Sequence, residues 1–101
     1  NHQSSKRPPL FSSYSKYLDG LKYQKTNYLK AQLFYQEAMK EDSTFVAPLF
    51  ALATSSIDNL QPVLRDSIMA TLQLMENSFT SFEKKNWENL KTRLAVDSSE
   101  K

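Results

Sequence analysis

Residues 17–53, YLDGLKYQKTNYLKAQLFYQEAMKEDSTFVAPLFALA, contain two helical patterns joined by a short turn and the start of a third pattern. Apolar residues of the second pattern recur at the spacing of one helix face, namely Tyr28, Ala31, Tyr35 and Ala38. Asn27 is a favourable N-cap for that helix, and the polar residues 42–44 supply caps for the next. Gly20 costs about 1 kcal/mol relative to alanine inside a helix, and close packing against a second helix would offset that cost. The stretch therefore predicts an α-helical hairpin.

The same spacing of apolar residues predicts an all-α fold along most of the chain. Ser12 or Ser13 is the expected N-cap of the first helix, because serine is favoured at that position. Five helices are predicted, at residues 14–25, 28–41, 45–58, 60–84 and 87–96.

The fourth helix is predicted as one long element because its apolar stripe is uninterrupted by glycine or proline. The stripe consists of Leu60, Leu64, Ile68, Leu72, Met75, Phe79 and Phe82. A break near Ser78 is the alternative, since Asn77-Ser78 and the pair Thr80 and Glu83 resemble capping signals. In the first case a fifth helix would begin near Trp87, with Asn86 as its cap.

The chain is long enough for one small domain with a single core. Residues 1–11 are predicted to be a flexible linker, because they are mostly polar and Pro8-Pro9 favours extended backbone. Residues 12–96 form the predicted helical domain, and residues 97–101 a disordered tail. Because the sequence does not begin with methionine, we expect it to be part of a longer protein.

The first hairpin resembles a tetratricopeptide repeat (TPR), a helical hairpin that usually serves as a protein-binding scaffold. The matching residues are Gly20, Tyr23, Asn27, Tyr28, Ala31, Tyr35, Ala38, Asp42 and the pair Leu52-Ala53. Asp42-Ser43 stands where the family usually has Asp-Pro. The segment Tyr17-Leu18-Asp19-Gly20 is similar to TPR segments of bacterial multi-domain regulators. The resemblance covers about a third of the chain and implies antiparallel helical hairpins.

The resemblance also implies where a partner would bind. In TPR proteins the first helix of each hairpin lines a concave face. Carried over to this sequence, that face would include Lys16, Asp19, Tyr23 and Thr54. Recognition would combine aromatic contact by Tyr23 with an acidic group held by Lys16.

The residue types argue against catalysis. The chain has no cysteine, its one histidine is His2 in the predicted linker, and Gly20 is its one glycine. A Ser/His/Asp or Cys/His site and a glycine-rich phosphate loop are therefore excluded. We predict a chain that is not an enzyme, with no catalytic residue, metal ligand or cofactor.

The charge pattern disfavours a nucleic-acid partner. The 13 basic and 11 acidic residues give a net charge of +2, whereas nucleic-acid readers usually carry a clustered basic face. A modest basic patch is conceivable near Trp87, from Lys84, Lys85, Lys91, Arg93 and Lys101, but acidic neighbours dilute it. No apolar run is long enough for a membrane span.

The leading hypothesis is a non-catalytic protein–protein interaction module of a larger regulatory or signalling protein. Its partner would be another protein or peptide. The alternative is a structural spacer or self-association domain that packs on its own chain or forms a homodimer. A nucleic-acid-binding helical domain of a transcriptional regulator is the weaker alternative. A cytoplasmic location is slightly favoured over an extracytoplasmic domain of a membrane-anchored regulator.

Overall fold

A computed structural model describes residues 8–99, and these residues are all-α, with five helices and one short 3₁₀ turn. The helices are α1 Phe11–Tyr23, α2 Tyr28–Glu41, α3 Ala47–Asp58, α4 Pro62–Met75 and α5 Ser81–Ser99. The 3₁₀ turn Glu76–Ser78 follows α4. The predicted fold class is confirmed. Residues 1–7 of the predicted linker, and residues 100 and 101 of the predicted tail, lie outside the described residues.

Helices α1 and α2 form an antiparallel hairpin. The start of α1 meets the end of α2, where the buried Ser13 hydroxyl donates to the Ala38 carbonyl over 2.7 Å. Further along, Gly20 lies against the ring of Tyr35. Ser12 and Ser13 are thus inside α1, which begins at Phe11, and neither is the predicted N-cap. The Ser13 hydroxyl contacts α2 instead, so a tertiary contact has replaced the local cap.

Asp42 fixes the chain on both sides of this hairpin. It is 4% exposed, and its carboxylate accepts hydrogen bonds from the Leu10 amide and from the Thr44 amide and hydroxyl. The turn continues as the Phe45 amide donates to the Asp42 carbonyl. Residues 45 and 46 are therefore held outside α3, which begins at Ala47 rather than at the predicted position 45.

The prediction of one long fourth helix over residues 60–84 is wrong, because the structure breaks this segment near Ser78. α4 ends at Met75, and Phe79 has extended backbone with ψ 140°. The Thr80 amide donates to the Glu83 carboxylate over 3.0 Å, while the Glu83 amide donates to the Thr80 hydroxyl over 3.2 Å. This reciprocal pair is a capping box, which starts a new helix.

The fifth helix consequently begins at Ser81 rather than at position 87, and it extends past position 96 to Ser99. Asn86 is not its cap but lies within it. Trp87 is buried, and it packs edge-on against Phe79 with the ring centroids 6.2 Å apart. This contact places the new helix against the core.

The core lies between the helices and combines large and small side chains. Its buried members are Ala31, Tyr35, Leu49, Leu52, Ala53, Ile57, Ile68, Leu72, Trp87 and Leu90. α3 is central, since it contacts α2, α4 and α5. α5 runs in the same direction as α3, because Phe50 meets Phe79 just before α5 and Asp58 at the end of α3 bonds Arg93 late in α5.

Candidate functional site

A cleft of about 510 Å³ runs along one face of the molecule, between α1, α3 and α5. A second, adjoining depression of about 260 Å³ shares Phe50, Thr54 and Asn86 with it and continues toward Arg93. The two form one groove, which we call the α1/α3/α5 cleft. α2 and α4 contribute no lining residue to either part.

α3 forms the floor of the cleft. Its lining residues recur at the spacing of one helix face, and they change from small and apolar to polar along the helix: Ala47, Ala51, Thr54 and Asp58. The small alanines leave room in the cleft where a larger side chain would fill it. Phe50 adds an aromatic edge and is held in place by Phe79, whose ring centroid lies 5.6 Å away.

α5 forms one wall, and its lining residues also share a helix face: Phe82, Asn86, Asn89 and Arg93. Phe82 lies in the first turn of α5, and its side chain is 73% exposed. An exposed aromatic ring at the edge of a groove is typical of binding surfaces, where aromatic residues supply much of the contact energy. The two asparagines each offer a donor and an acceptor for hydrogen bonds.

α1 and the turn after it form the opposite wall, with Tyr17, Gln24 and Lys25. Burial raises the pKa of the Tyr17 hydroxyl above its usual 10.0, and the nearby Tyr14 adds to this effect. Tyr17 therefore stays neutral at physiological pH. The Gln24 carboxamide oxygen accepts a hydrogen bond from the Tyr35 hydroxyl over 3.1 Å, which orients Gln24 at the edge of the cleft.

Charge is sparse in the cleft and is gathered at one end. Asp58 and Arg93 form a hydrogen-bonded ion pair that joins the end of α3 to α5. Both side chains are about half exposed, so the pair contributes little to stability, on the order of 1 kcal/mol or less. Lys25 lies at the same end. Apolar surface at one end and amide and charged groups at the other give the cleft a direction.

Of the four predicted partner-binding residues, one lines the cleft and three do not. Thr54 is exposed and lines the cleft. Lys16 instead pairs with Glu41 of α2 at 3.7 Å, and Asp19 pairs with Lys22 at 3.8 Å. Neither lines the cleft.

Tyr23 also lies away from the cleft. Its ring stacks on Phe34 with centroids 5.9 Å apart, and the Lys30 ammonium lies 4.4 Å from its centroid. The side chain is half-buried and packs against the core. These contacts give Tyr23 a role in the α1–α2 hairpin.

Sequence reasoning missed Phe82, Asn86, Asn89 and Arg93 as one set. The predicted fifth helix starts near position 87, which leaves Phe82 in the predicted fourth helix and makes Asn86 a cap. The capping residues Thr80 and Glu83 were the signal that could have grouped them, because a helix starting at Ser81 brings all four onto one face.

Two residues of the basic patch considered near Trp87 are engaged in ion pairs. Lys91 lies 3.2 Å from Glu88 and 3.9 Å from Glu76, and Arg93 is bonded to Asp58. Lys101 lies outside the described residues. Between residues 8 and 99, no group of three or more acidic, histidine or cysteine side chains is arranged to hold a metal ion. None of the helices described here combines the length and apolarity that crossing a membrane requires.

Comparison of this chain with protein families, with characterised proteins and with solved structures found no match.

Proposed function

We propose that this chain is a non-catalytic binding module whose α1/α3/α5 cleft takes an extended segment of another protein. The observation that carries the proposal is the exposure of Phe82. Its side chain is 73% exposed on the wall of a groove, and it lies on the same face of α5 as the asparagine side chains. Solvent exposure of a large aromatic ring is unfavourable in isolation, and an apolar group of a partner would cover it.

The chemistry of the cleft suits a polypeptide ligand. Asn86, Asn89 and Gln24 present carboxamides, which can bond both the N–H and the C=O of a peptide group. Phe50 and Phe82 offer contact to one apolar side chain of the ligand. The resemblance of the first hairpin to a TPR supports the same reading, since the first helix of each hairpin would line the binding face.

Selection of peptides from a random library on the immobilised chain, followed by affinity measurement, tests the proposal. Selected peptides should bind wild type and lose about tenfold or more affinity with Phe82→Ala, as hot-spot aromatic residues do. Leu74→Ala is the matched control, because Leu74 is 87% exposed on α4 and lines no part of the cleft.

Two results would oppose this function. One is a selection that yields no binding peptide, and the other is a set of peptides whose affinity is unchanged by both Phe82→Ala and Asn86→Ala. Thermal unfolding of each variant, followed by circular dichroism, separates lost binding from lost folding. Because Phe82 is mostly exposed, its truncation should leave the melting temperature nearly unchanged.

A spacer that packs on its own chain is the second candidate, and α1 carries the observation that favours it. Four apolar side chains at or just before its N-terminal half remain at least 42% exposed, namely Leu10, Phe11, Tyr14 and Leu18. Binding to nucleic acid has weaker support, because Lys91 and Arg93 are engaged in ion pairs. Salt-sensitive retention on heparin would be the observation in its favour.

A further inference from the structure

The Ser55 hydroxyl is a hydrogen-bond donor in the floor of the α1/α3/α5 cleft. The side chain lines the cleft and is 8% exposed. Its oxygen accepts hydrogen bonds from the Gln32 carboxamide over 2.9 Å and from the Asn59 carboxamide over 3.3 Å. With both lone pairs used, the hydroxyl still has its own proton to donate. No acceptor among the described residues takes that proton, so an accepting atom of a ligand would complete the hydrogen bonding of Ser55.

Lys25 is a second donor in the cleft that lacks an internal partner. Of the described residues, three charged ones line the cleft, namely Lys25, Asp58 and Arg93. Asp58 and Arg93 neutralise each other through their ion pair. The Lys25 side chain is exposed, and within the described residues it forms an ion pair with no acidic side chain. The charge that remains in the cleft is therefore one positive charge, that of Lys25.

The sequence around Lys25 carries charge of the same sign. Residues 20–36 include Lys22, Lys25 and Lys30 but no acidic residue. They span the end of α1, the turn and the start of α2. Asp19 offsets only the first of these lysines, at 3.8 Å from Lys22. The electrostatic potential at this end of the cleft therefore favours a negatively charged group of a ligand.

We propose that the segment bound in the α1/α3/α5 cleft carries an aspartate or glutamate, whose carboxylate accepts from the Ser55 hydroxyl and pairs with Lys25; this rests on the proposed function of the cleft. An ionised carboxylate only accepts hydrogen bonds, so it suits a place where both unpartnered groups are donors. One positive charge matches one carboxylate. It is too little for a nucleic acid, whose backbone is bound through several phosphate contacts.

The geometry of α3 also gives the position of the acidic residue in the bound segment. The apolar floor residues Ala47 and Ala51 precede Ser55 by about two helical turns and one turn, which is about 6 to 12 Å along the helix. An extended chain covers this distance in about two to four residues. Side chains on one side of an extended chain are two or four residues apart. The acidic residue therefore stands two or four positions from the apolar residue that contacts Phe50 and Phe82.

Peptides selected from a random library on the immobilised chain supply the probe. The peptide of highest affinity is synthesised with a fluorescent label, and again with each acidic residue in turn replaced by its amide, Asp by Asn or Glu by Gln. Fluorescence anisotropy measures the affinity of these peptides for wild type, Lys25→Gln, Ser55→Ala and the control Lys40→Gln. Lys40 is exposed on α2 and lines neither part of the cleft.

On wild type, one amide peptide should bind about tenfold more weakly than the acidic peptide. The acidic peptide should lose about five- to tenfold affinity on Lys25→Gln and on Ser55→Ala. On these two variants the difference between acid and amide should shrink, because a partner of the carboxylate is already absent. Lys40→Gln should behave as wild type. Selection on Lys25→Glu should give peptides with a basic residue where the acidic one stood.

Ser55→Ala is suited to this test because its neighbours keep other acceptors. Gln32 still donates to the Gln61 carboxamide over 2.8 Å, and Asn59 to the backbone carbonyl of residue 55 over 2.9 Å. Thermal unfolding followed by circular dichroism verifies that each variant is folded. Lys25→Gln changes an exposed side chain, so its melting temperature should equal that of wild type.

The results distinguish failure of this inference from failure of the proposed function. Suppose that the selected peptides respond to Phe82→Ala but contain no acidic residue, or bind equally well as acid and amide. The cleft then binds peptides, and the carboxylate assignment is overturned. Acidic peptides whose affinity is unchanged on both Lys25→Gln and Ser55→Ala overturn it as well. A selection that yields no peptide rejects the proposed function and, with it, this inference.

Discussion

Gly20 of α1 lies directly on the ring of Tyr35 of α2. A side-chain carbon placed on Gly20 would come within 2.6 Å of the Tyr35 Cδ1 atom and 3.1 Å of its Cζ atom. Tyr35 is fully buried, and its hydroxyl is bonded to Gln24, so the ring has no open space to enter. The two helices are therefore this close because position 20 is glycine.

Gly20→Ala should destabilise the chain, although alanine is the better helix former by about 1 kcal/mol. Overpacking of a tight contact costs about 1 to 3 kcal/mol, and a fixed aromatic ring puts this position toward the upper end. Denaturant unfolding followed by circular dichroism measures the change. Lys22→Ala, on an exposed position of the same helix, is the control.

A melting temperature raised by Gly20→Ala would mean that α1 and α2 are not in close contact at this position. A double variant sharpens the test further. Tyr35→Leu costs stability by itself, but it should reduce the additional cost of Gly20→Ala, because the smaller side chain leaves room for the new methyl group.

The burial of the Tyr35 hydroxyl predicts how the stability of the chain changes at alkaline pH. Burial, with a smaller contribution from Tyr17, raises the pKa of Tyr35 to about 12 from its usual 10.0. The unfolded chain therefore loses this proton at lower pH than the folded chain. The stabilising contribution is present in full below pH 10 and is lost as pH rises toward 12, by roughly 2 to 3 kcal/mol.

The free energy of unfolding, measured by urea titration at a series of pH values, checks this dependence. Wild type should lose stability steeply between pH 10 and 12, whereas Tyr35→Phe should lose less over the same interval. Equal slopes for the two proteins would show that Tyr35 does not control the alkaline transition.

The capping box at residues 80–83 gives a prediction that separates two descriptions of this region. With α5 starting at Ser81, Thr80→Ala removes a cap and should cost about 1 kcal/mol. In one continuous helix the same change would favour helix formation and stabilise the chain slightly. Chemical denaturation of Thr80→Ala therefore decides the matter by its sign. Thr80→Ser, which keeps the hydroxyl, should remain close to wild type.

The first hairpin was predictable from sequence because local and tertiary preferences agree there. Asn27 caps α2 through its side chain, which accepts from the Lys30 amide over 3.2 Å. Ala31, Tyr35 and Ala38 are all fully buried, as their spacing predicts. Gly20 meets a helix partner, which explains its place inside α1. In each case one pattern of residues determines both the helix and its packing.

The break after α4 was harder to predict because two signals conflict. The apolar spacing from Leu60 to Phe82 continues through Ser78, while Thr80 and Glu83 signal a new start. The structure favours the second signal, since Phe79 turns inward to meet Phe50 and Trp87. Periodicity cannot reveal the contact between Phe79 and Phe50, because these residues are far apart in sequence.

The α1/α3/α5 cleft depends on that same break, because a fourth helix running through Ser78 separates Phe82 from the other α5 residues of the cleft. Thr54 lines the cleft, and its place on α3 follows from helix bounds that the apolar spacing predicts nearly correctly. Tyr23 is among the residues that the resemblance assigns to the binding face, but its ring stacks on Phe34 of α2. The spacing of residues within α1 does not show which of them the neighbouring helix covers.

Trp87 supplies the last prediction, because it is buried while its indole N–H lacks a hydrogen-bond partner in the described residues. The side chain is 1% exposed, and its indole Nε1 has no hydrogen-bond partner within the described part of the chain. An unsatisfied buried donor costs about 1 to 3 kcal/mol. Trp87→Phe removes that cost but loses apolar contact, so the net change should be small, within about 1 kcal/mol. Leu90→Ala, at a 7% exposed position of the same helix, should cost about 2 to 5 kcal/mol.

Urea unfolding followed by far-ultraviolet circular dichroism compares the two variants, because Trp87→Phe removes the fluorophore. A small loss for Trp87→Phe beside a large loss for Leu90→Ala would show that α5 packs firmly while its tryptophan carries an unpaired donor. Equal, large losses would show instead that the indole N–H is satisfied in solution, by a bound water for instance. The loss would then measure both that hydrogen bond and the packing.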